Sequence, residues 1–298
     1  MGFKRTGAIL PLLLAAGMAR ADLSPSTILG KVSATRAQGM GGAAGAIIGD
    51  PDMIWANPAA SYSHKGMLLT MEGQKGIFGQ GMGQVLFVKS WKGRPEVVSL
   101  GASYEDTGSV VMQTVEGMDR RISLQKDVLL LLGVTLGEWT GKPYGIALKA
   151  LRSEVLGQYT ANAVMLDAGL QGTWGERVKY GAAIQNLGTR LRYLQTAYNL
   201  PACLRAGVST EWKWGGRMLA GADVDYSWNE RLTGCRAGAE YTWAGIAAIR
   251  AGAKVEGLKG FSYSAGLGVL AGRYRLDYSL EMGGDIGYPQ SLGITIAF

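Results

Sequence analysis

From Gly66 onward the sequence divides into short runs whose side chains alternate in character and whose connections alternate in length. Fourteen runs can be drawn, at residues 66–73, 81–90, 95–104, 124–138, 143–154, 159–174, 178–187, 201–213, 218–228, 231–243, 246–254, 260–270, 273–282 and 290–298. They cluster around the roughly 9 to 11 residues that a tilted strand needs to cross a bilayer. Links after even-numbered runs are tight, as at Thr140-Gly141-Lys142-Pro143, Gly175-Glu176-Arg177 and Gly215-Gly216-Arg217. Those after odd-numbered runs include Thr107 to Ser123, Gly188 to Leu200 and Gly283 to Gln290, with Asn229-Glu230 as an exception. Short turns on the side of both termini and longer loops on the other are the layout of an outer-membrane barrel. The expected fold is all-β, a 14-stranded antiparallel transmembrane β-barrel.

Facing parity agrees. In the last run Leu292, Ile294, Ile296 and Phe298 share one face, and Ser291, Gly293, Thr295 and Ala297 share the other. In run 201–213, Leu204, Ala206, Val208, Thr210 and Trp212 oppose Arg205, Gly207, Ser209, Glu211 and Lys213. Apolar sets toward lipid and charged sets toward a lumen account for this. A water-soluble sandwich would alternate as well, and the tryptophans separate the two readings. Trp91, Trp139, Trp174, Trp212, Trp214 and Trp243 all fall at or just after the ends of even-numbered runs, which predicts an aromatic girdle at the periplasmic rim. By the same parity Cys203 faces inward and Cys235 outward, on strands separated by a third, so both are expected to be free.

Residues 1–21 read as a signal peptide, with Lys4 and Arg5 before an apolar stretch and Ala19-Arg20-Ala21 as the cleavage pattern. Lys4, Arg5 and Arg20 account for three of the seven net positive charges, leaving +4 and a weak case for nucleic acid. No later stretch approaches the roughly 18 apolar residues of a membrane-spanning helix; the longest apolar run is Val128 to Leu132. Glycine, at 46 of 298 residues, is about twice its ordinary share, as suits many short strands and turns.

Residues 22–64 precede the barrel, which occupies 65–298. Arg36 to Ala60 is rich in glycine and alanine and ends in Asn57-Pro58-Ala59. Missing side chains let two backbones approach closely, so this segment is expected to be a plug in or at the lumen. Its motif residues are Gly39, Met40, Gly41, Gly42, Asp50, Asn57 and Pro58, with Asn57-Pro58 as an anchor at the periplasmic mouth. Gly39-x-Gly41-x-x-Ala44 has dinucleotide-loop spacing, but the buried strand and βαβ unit that such a loop requires are missing around it.

With this barrel behind it, the stretch resembles the PorV/PorQ family of outer-membrane proteins, relatives of the FadL-type fatty-acid channels. Arg36-Ala37, Gly39-Met40-Gly41-Gly42-Ala43, Asp50, Trp55 and Asn57-Pro58-Ala59 carry the resemblance. Gln185-Asn186-Leu187-Gly188, Leu200-Pro201 and Leu204-Arg205-Ala206-Gly207 add to it. Gly49-Asp50 stands where the family commonly has Asp-Asp, and Ala60 where it has a glycine that would permit positive φ. The resemblance implies an integral outer-membrane barrel and an accessory role in type IX secretion, binding cargo or translocon subunits. The alternative is a FadL-like channel for hydrophobic small molecules. The outer loops are short and only moderately apolar, which favours the interaction role.

Chemistry at a catalytic site is not expected. The single histidine, His64, lies at the junction before the first strand, and Gly-x-Ser-x-Gly and His-Glu-x-x-His motifs are missing from the sequence. No enzyme activity, cofactor or metal is predicted. Arg205, Arg236 and Arg250 each begin an Arg-Ala-Gly echo, and parity places all three inward at comparable heights. With Lys213, Lys254, Arg273 and Arg275 they face Glu211, Asp223, Asp225, Glu240 and Asp277. Internal salt bridging is the favoured reading, and an anionic ligand or a plug carboxylate the other.

Overall fold

Alternating runs of aliphatic or aromatic and small or polar residues form strands, and glycines in the left-handed region, such as Gly175 and Gly215, close turns between them. The computed structural model describes residues 26, 28–31, 33–76, 79–113, 119–139, 142–257, 260–283 and 288–298. The leader proposed for residues 1–21 lies outside the described residues. The strands are β1 (Met67–Lys75), β2 (Gly81–Ser90), β3 (Val97–Asp106), β4 (Ser109–Gln113), β5 (Asp119–Ser123) and β6 (Gln125–Trp139). There follow β7 (Lys142–Val155), β8 (Tyr159–Trp174), β9 (Val178–Gly188), β10 (Leu191–Tyr193), β11 (Thr196–Tyr198) and β12 (Cys203–Lys213). The last six are β13 (Arg217–Ser227), β14 (Leu232–Trp243), β15 (Ala247–Glu256), β16 (Gly260–Ala271), β17 (Tyr274–Gly283) and β18 (Gln290–Ala297).

Among the described residues fourteen of these strands close into one barrel, every neighbour antiparallel, with β1 sealing against β18. The expected strand number and order hold. Two connections expected to be plain loops carry hairpins of their own, β4–β5 and β10–β11. Leu191 in the second hairpin is fully buried against apolar residues of the lumen, which folds that hairpin over the barrel mouth.

Side-chain placement is that of a membrane barrel. Leu130, Leu148, Val164, Val208, Ile249 and Leu267 are exposed on the outside, whereas Ser103, Asp127, Asp167, Asp223 and Asp277 are buried inside. At the end bearing the tight turns, called here the inner end, Trp91, Trp174, Trp214 and Trp243 are exposed. Trp228, after β13, sits at the opposite, outer end. Cys203 is buried, Cys235 exposed, and both are free.

The N-terminal segment fills the lumen. Its helices are α1 (Ile28–Lys31), α2 (Thr35–Gly39) and a 3-10 helix, Pro51–Trp55, whose N-terminus is capped by the Asp50 side chain. The described chain starts near the outer end, where Ser26 Oγ donates to Asp127 at 2.8 Å. It descends past Lys31, paired with Glu105 at 2.5 Å, to Pro58, whose carbonyl accepts from Thr135 Oγ1 at 2.6 Å near the inner end. Ala60 is fully buried and is not among the residues with positive φ, so alanine is accommodated there without strain.

Candidate functional site

Two unlike halves make up the lumen. On the side of β13 to β18 and β1, the plug is tied to the wall by charge. Arg36, on α2, donates from Nε and Nη2 to the two carboxylate oxygens of Glu240 at 2.7 and 2.6 Å, and from Nη1 to Asp50. Glu240 also accepts from Arg250 Nε at 2.7 Å, and Arg250 continues to Asp277 at 2.8 Å. Arg275 bonds Asp277 at 2.8 Å and reaches back to Asp52 on the plug. Asp52 accepts from Thr70 on β1 at 2.7 Å. Three guanidinium groups and four carboxylates thus form one buried chain that leaves the plug, crosses the wall and returns. Removing ions from water is costly, and bidentate pairing is what makes such a chain tolerable.

Above this chain the plug backbone lies directly on the wall. Asp223 accepts the amides of Ala44 and Gly45 at 2.9 and 2.8 Å, and Gly41 donates to Ser264 at 2.8 Å. A Cβ at Gly238 or Gly252 would land on the carbonyl of Met40, and one at Gly39 would lie 3.1 Å from the Gly266 Cα. Plug glycines therefore meet wall glycines, and the wall's contribution is the part that the sequence reading leaves out. Gly42 packs against the Arg236 side chain. Asn57 is buried, and its amide donates to the carbonyls of Gly45 at 2.9 Å and Leu170 at 3.1 Å, with Pro58 over Gly145.

Arg205, Arg236 and Arg250 do not share a height. Arg250 stands opposite Glu240 in the register of β14 and β15, whereas Arg236 stands opposite Lys254, four positions nearer the outer end. Arg236 pairs with Asp225 and with Glu256, the latter at 2.8 Å, and Arg205 stands across from Asp225. Lys213 and Arg273 lie at the rim, away from the internal ion pairs. Lys213 is the last residue of β12 and Arg273 lies in the turn before β17; both are exposed at the inner end, where Arg273 sits 6.0 Å from the Tyr274 ring. Lys213 pairs with Arg217 in the last rung of the β12–β13 ladder, and Arg273 lies beyond the last β16–β17 rung. His64, below the plug, is partly buried, and burial holds its imidazole below the ordinary pKa.

Gln185 and Asn186 lie on β9 and bond the plug and the neighbouring strands β7 and β8. Asn186 adopts φ 58° beside a bulge between Leu166 and Ala168 in the β8–β9 ladder. Its amide donates to Asp167 at 2.7 Å, and its side chain accepts from Lys149 at 3.1 Å. Gln185 Nε2 holds the Trp55 carbonyl at 2.7 Å.

On the side of β2, β3, β6, β7 and β8 an apolar strip runs among buried polar groups such as Gln84, Glu105, Asp127 and Gln171. Leu86, Val88, Val97, Leu129, Leu131, Leu151 and Met165 form one packed column with Ile28, Ile54 and Trp55 of the plug. Leu191 and Leu200 continue it at the outer end and Leu68 at the inner end, so the column runs from mouth to mouth. The buried Lys149–Asp167 pair, at 2.5 Å, borders it on β7 and β8.

No protein-family model and no curated protein matches the sequence. Solved structures of similar fold include the Pseudomonas putida toluene transporter TodX, at TM-score 0.65 and 11% identity over 87% of this chain and 96% of that one. The CymD monoaromatic hydrocarbon channel aligns at TM-score 0.63 and 14% identity, covering 88% and 96%. A Pseudomonas aeruginosa FadL homologue aligns at 0.58 and 12%, covering 89% and 98%. The likeness shows the fold, a closed fourteen-stranded antiparallel barrel.

Proposed function

We propose that this protein is an integral outer-membrane channel for small hydrophobic molecules. The carrying observation is the apolar column from Leu191 and Leu200 at the outer end to Leu68 at the inner end. It joins apolar side chains of plug and wall along the height of the lumen, a surface that a hydrophobic solute can follow past the buried polar groups beside it. Each Å² of apolar solute surface taken up there is favoured by roughly 25 cal/mol, while ions and sugars gain nothing. TodX and CymD, whose names refer to toluene and monoaromatic hydrocarbons, lend the reading support through fold alone. The PorV/PorQ secretion role rests on the motif resemblance, and recovery of a translocon or cargo in a pull-down from solubilised membranes would favour it.

Vesicles with lipopolysaccharide in the outer leaflet slow the spontaneous entry of hydrocarbons and so expose the channel's share. Uptake of a labelled monoaromatic hydrocarbon should rise when the barrel is inserted and fall back when Leu131→Asp and Leu151→Asp place carboxylates in the column. Equal uptake with and without protein would remove the proposal.

A further inference from the structure

The two halves of the lumen hold the plug in different ways, and the transport reading gains a specific gate from that difference. Around the 3-10 helix the backbone is fixed at both ends. Asp50 caps its start, Asp52 is held by Thr70 and Arg275, and Gln185 binds the carbonyl of Trp55. The side chains of Ile54 and Trp55 leave this fixed backbone for the apolar column. There they occupy recesses made by missing wall side chains. A Cβ at Gly101 would lie 2.8 Å from Trp55 Cη2, and one at Gly133 would lie 2.5 Å from Ile54 Cδ1. Both side chains are at least 95% buried, Ile54 at 0% and Trp55 at 5% exposure. Around them the column contains Leu129, Leu131, Val88, Val97 and Leu68.

We infer that Ile54 and Trp55 are the size-determining gate of the column, opened by rotation of their side chains while the plug backbone stays bound to the charged half of the wall. This rests on the transport reading and names the residues that select within it. Gly101 and Gly133 are the recesses that let the gate close flush with the wall, since larger residues would keep the indole and the isoleucine out. Because the plug backbone need not leave, hydrocarbons can pass while the Arg36 to Asp277 chain stays closed to ions.

The test compares uptake of monocyclic and bicyclic hydrocarbons by lipopolysaccharide-bearing vesicles carrying the full-length barrel. Trp55→Ala and Ile54→Ala should raise bicyclic relative to monocyclic uptake by roughly 10-fold or more, the discrimination that small changes of volume in an apolar pocket produce. Trp55→Phe should fall between, and ion conductance should stay at the wild-type level in all three. Heat-modifiable mobility on a gel reports assembly of each variant; if Trp55→Ala does not assemble, Trp55→Phe and Ile54→Val carry the comparison. An active wild type whose size profile is unchanged in the variants overturns the gate alone. A wild type inert toward every hydrocarbon overturns the transport reading and the gate with it.

Discussion

Arg36 and Glu240 stand 204 residues apart in the chain and meet in the lumen through a two-pronged ion pair at 2.6 and 2.7 Å. One belongs to the plug and the other to β14, so the pair is a direct measure of how firmly the stopper is seated. Arg36→Ala leaves Glu240 and Asp50 buried without one of their cations, a loss of about 3 to 5 kcal/mol. The temperature at which the heat-modifiable band is lost should drop, and ion conductance in planar bilayers should appear. In the double variant Arg36→Ala with Glu240→Gln the loss should be less than the sum of the two single ones, as expected of residues in contact. Additive losses would mean that the pair does not form.

Wall glycines make a second prediction. Gly238→Ala drives a methyl group into the Met40 carbonyl, whereas at Gly73, on the outward face of β1, an added Cβ meets nothing within 4 Å. The first change should destabilise the plugged state by about 1 to 3 kcal/mol and raise conductance. The second should stay within about 0.5 kcal/mol of wild type. Thermal mobility-shift curves of the two variants check both.

Burial separates two other ion pairs. Lys149 and Asp167 are buried at 2.5 Å, while Lys179 and Glu211 are partly exposed at 2.6 Å. Lys149→Met should cost about 3 to 5 kcal/mol because it strands a carboxylate in the wall. Lys179→Met should cost at most about 1 kcal/mol. Urea midpoints in detergent report the difference, and similar midpoints would contradict the assigned burial.

The barrel is legible in the sequence because strand parity and turn length are local properties. Leu204 and Arg205 announce their faces with no knowledge of any other strand. The β10–β11 hairpin is harder to see, since three residues from Leu191 to Tyr193 are too few for alternation to register. The pairing of Arg36 with Glu240 is not legible at all. It depends on how the plug threads the closed barrel, whereas the place of Arg250 four positions below Arg236 follows from the β14–β15 hairpin register alone. The divided lumen did leave a signal. Val128 to Leu132 is the longest apolar run after residue 21, and in a strand an unbroken run means that both faces are apolar. In β6 it marks the strand where the lumen side is as greasy as the lipid side, with Leu129 and Leu131 buried while Leu130 and Leu132 are exposed. Val85 to Val88 of β2 repeats it. The charged inward faces of β12 to β17 show the opposite pattern.

On the transport reading, the plug shuts the lumen to water and ions while the column beside it admits hydrophobic molecules. Paired uptake of a labelled aromatic hydrocarbon and a labelled disaccharide, in cells with intact lipopolysaccharide, tests it most directly. With the assembled barrel verified in the outer membrane, the account predicts faster hydrocarbon entry and unchanged disaccharide entry relative to cells without it. Faster entry of both solutes, or of neither, would contradict it.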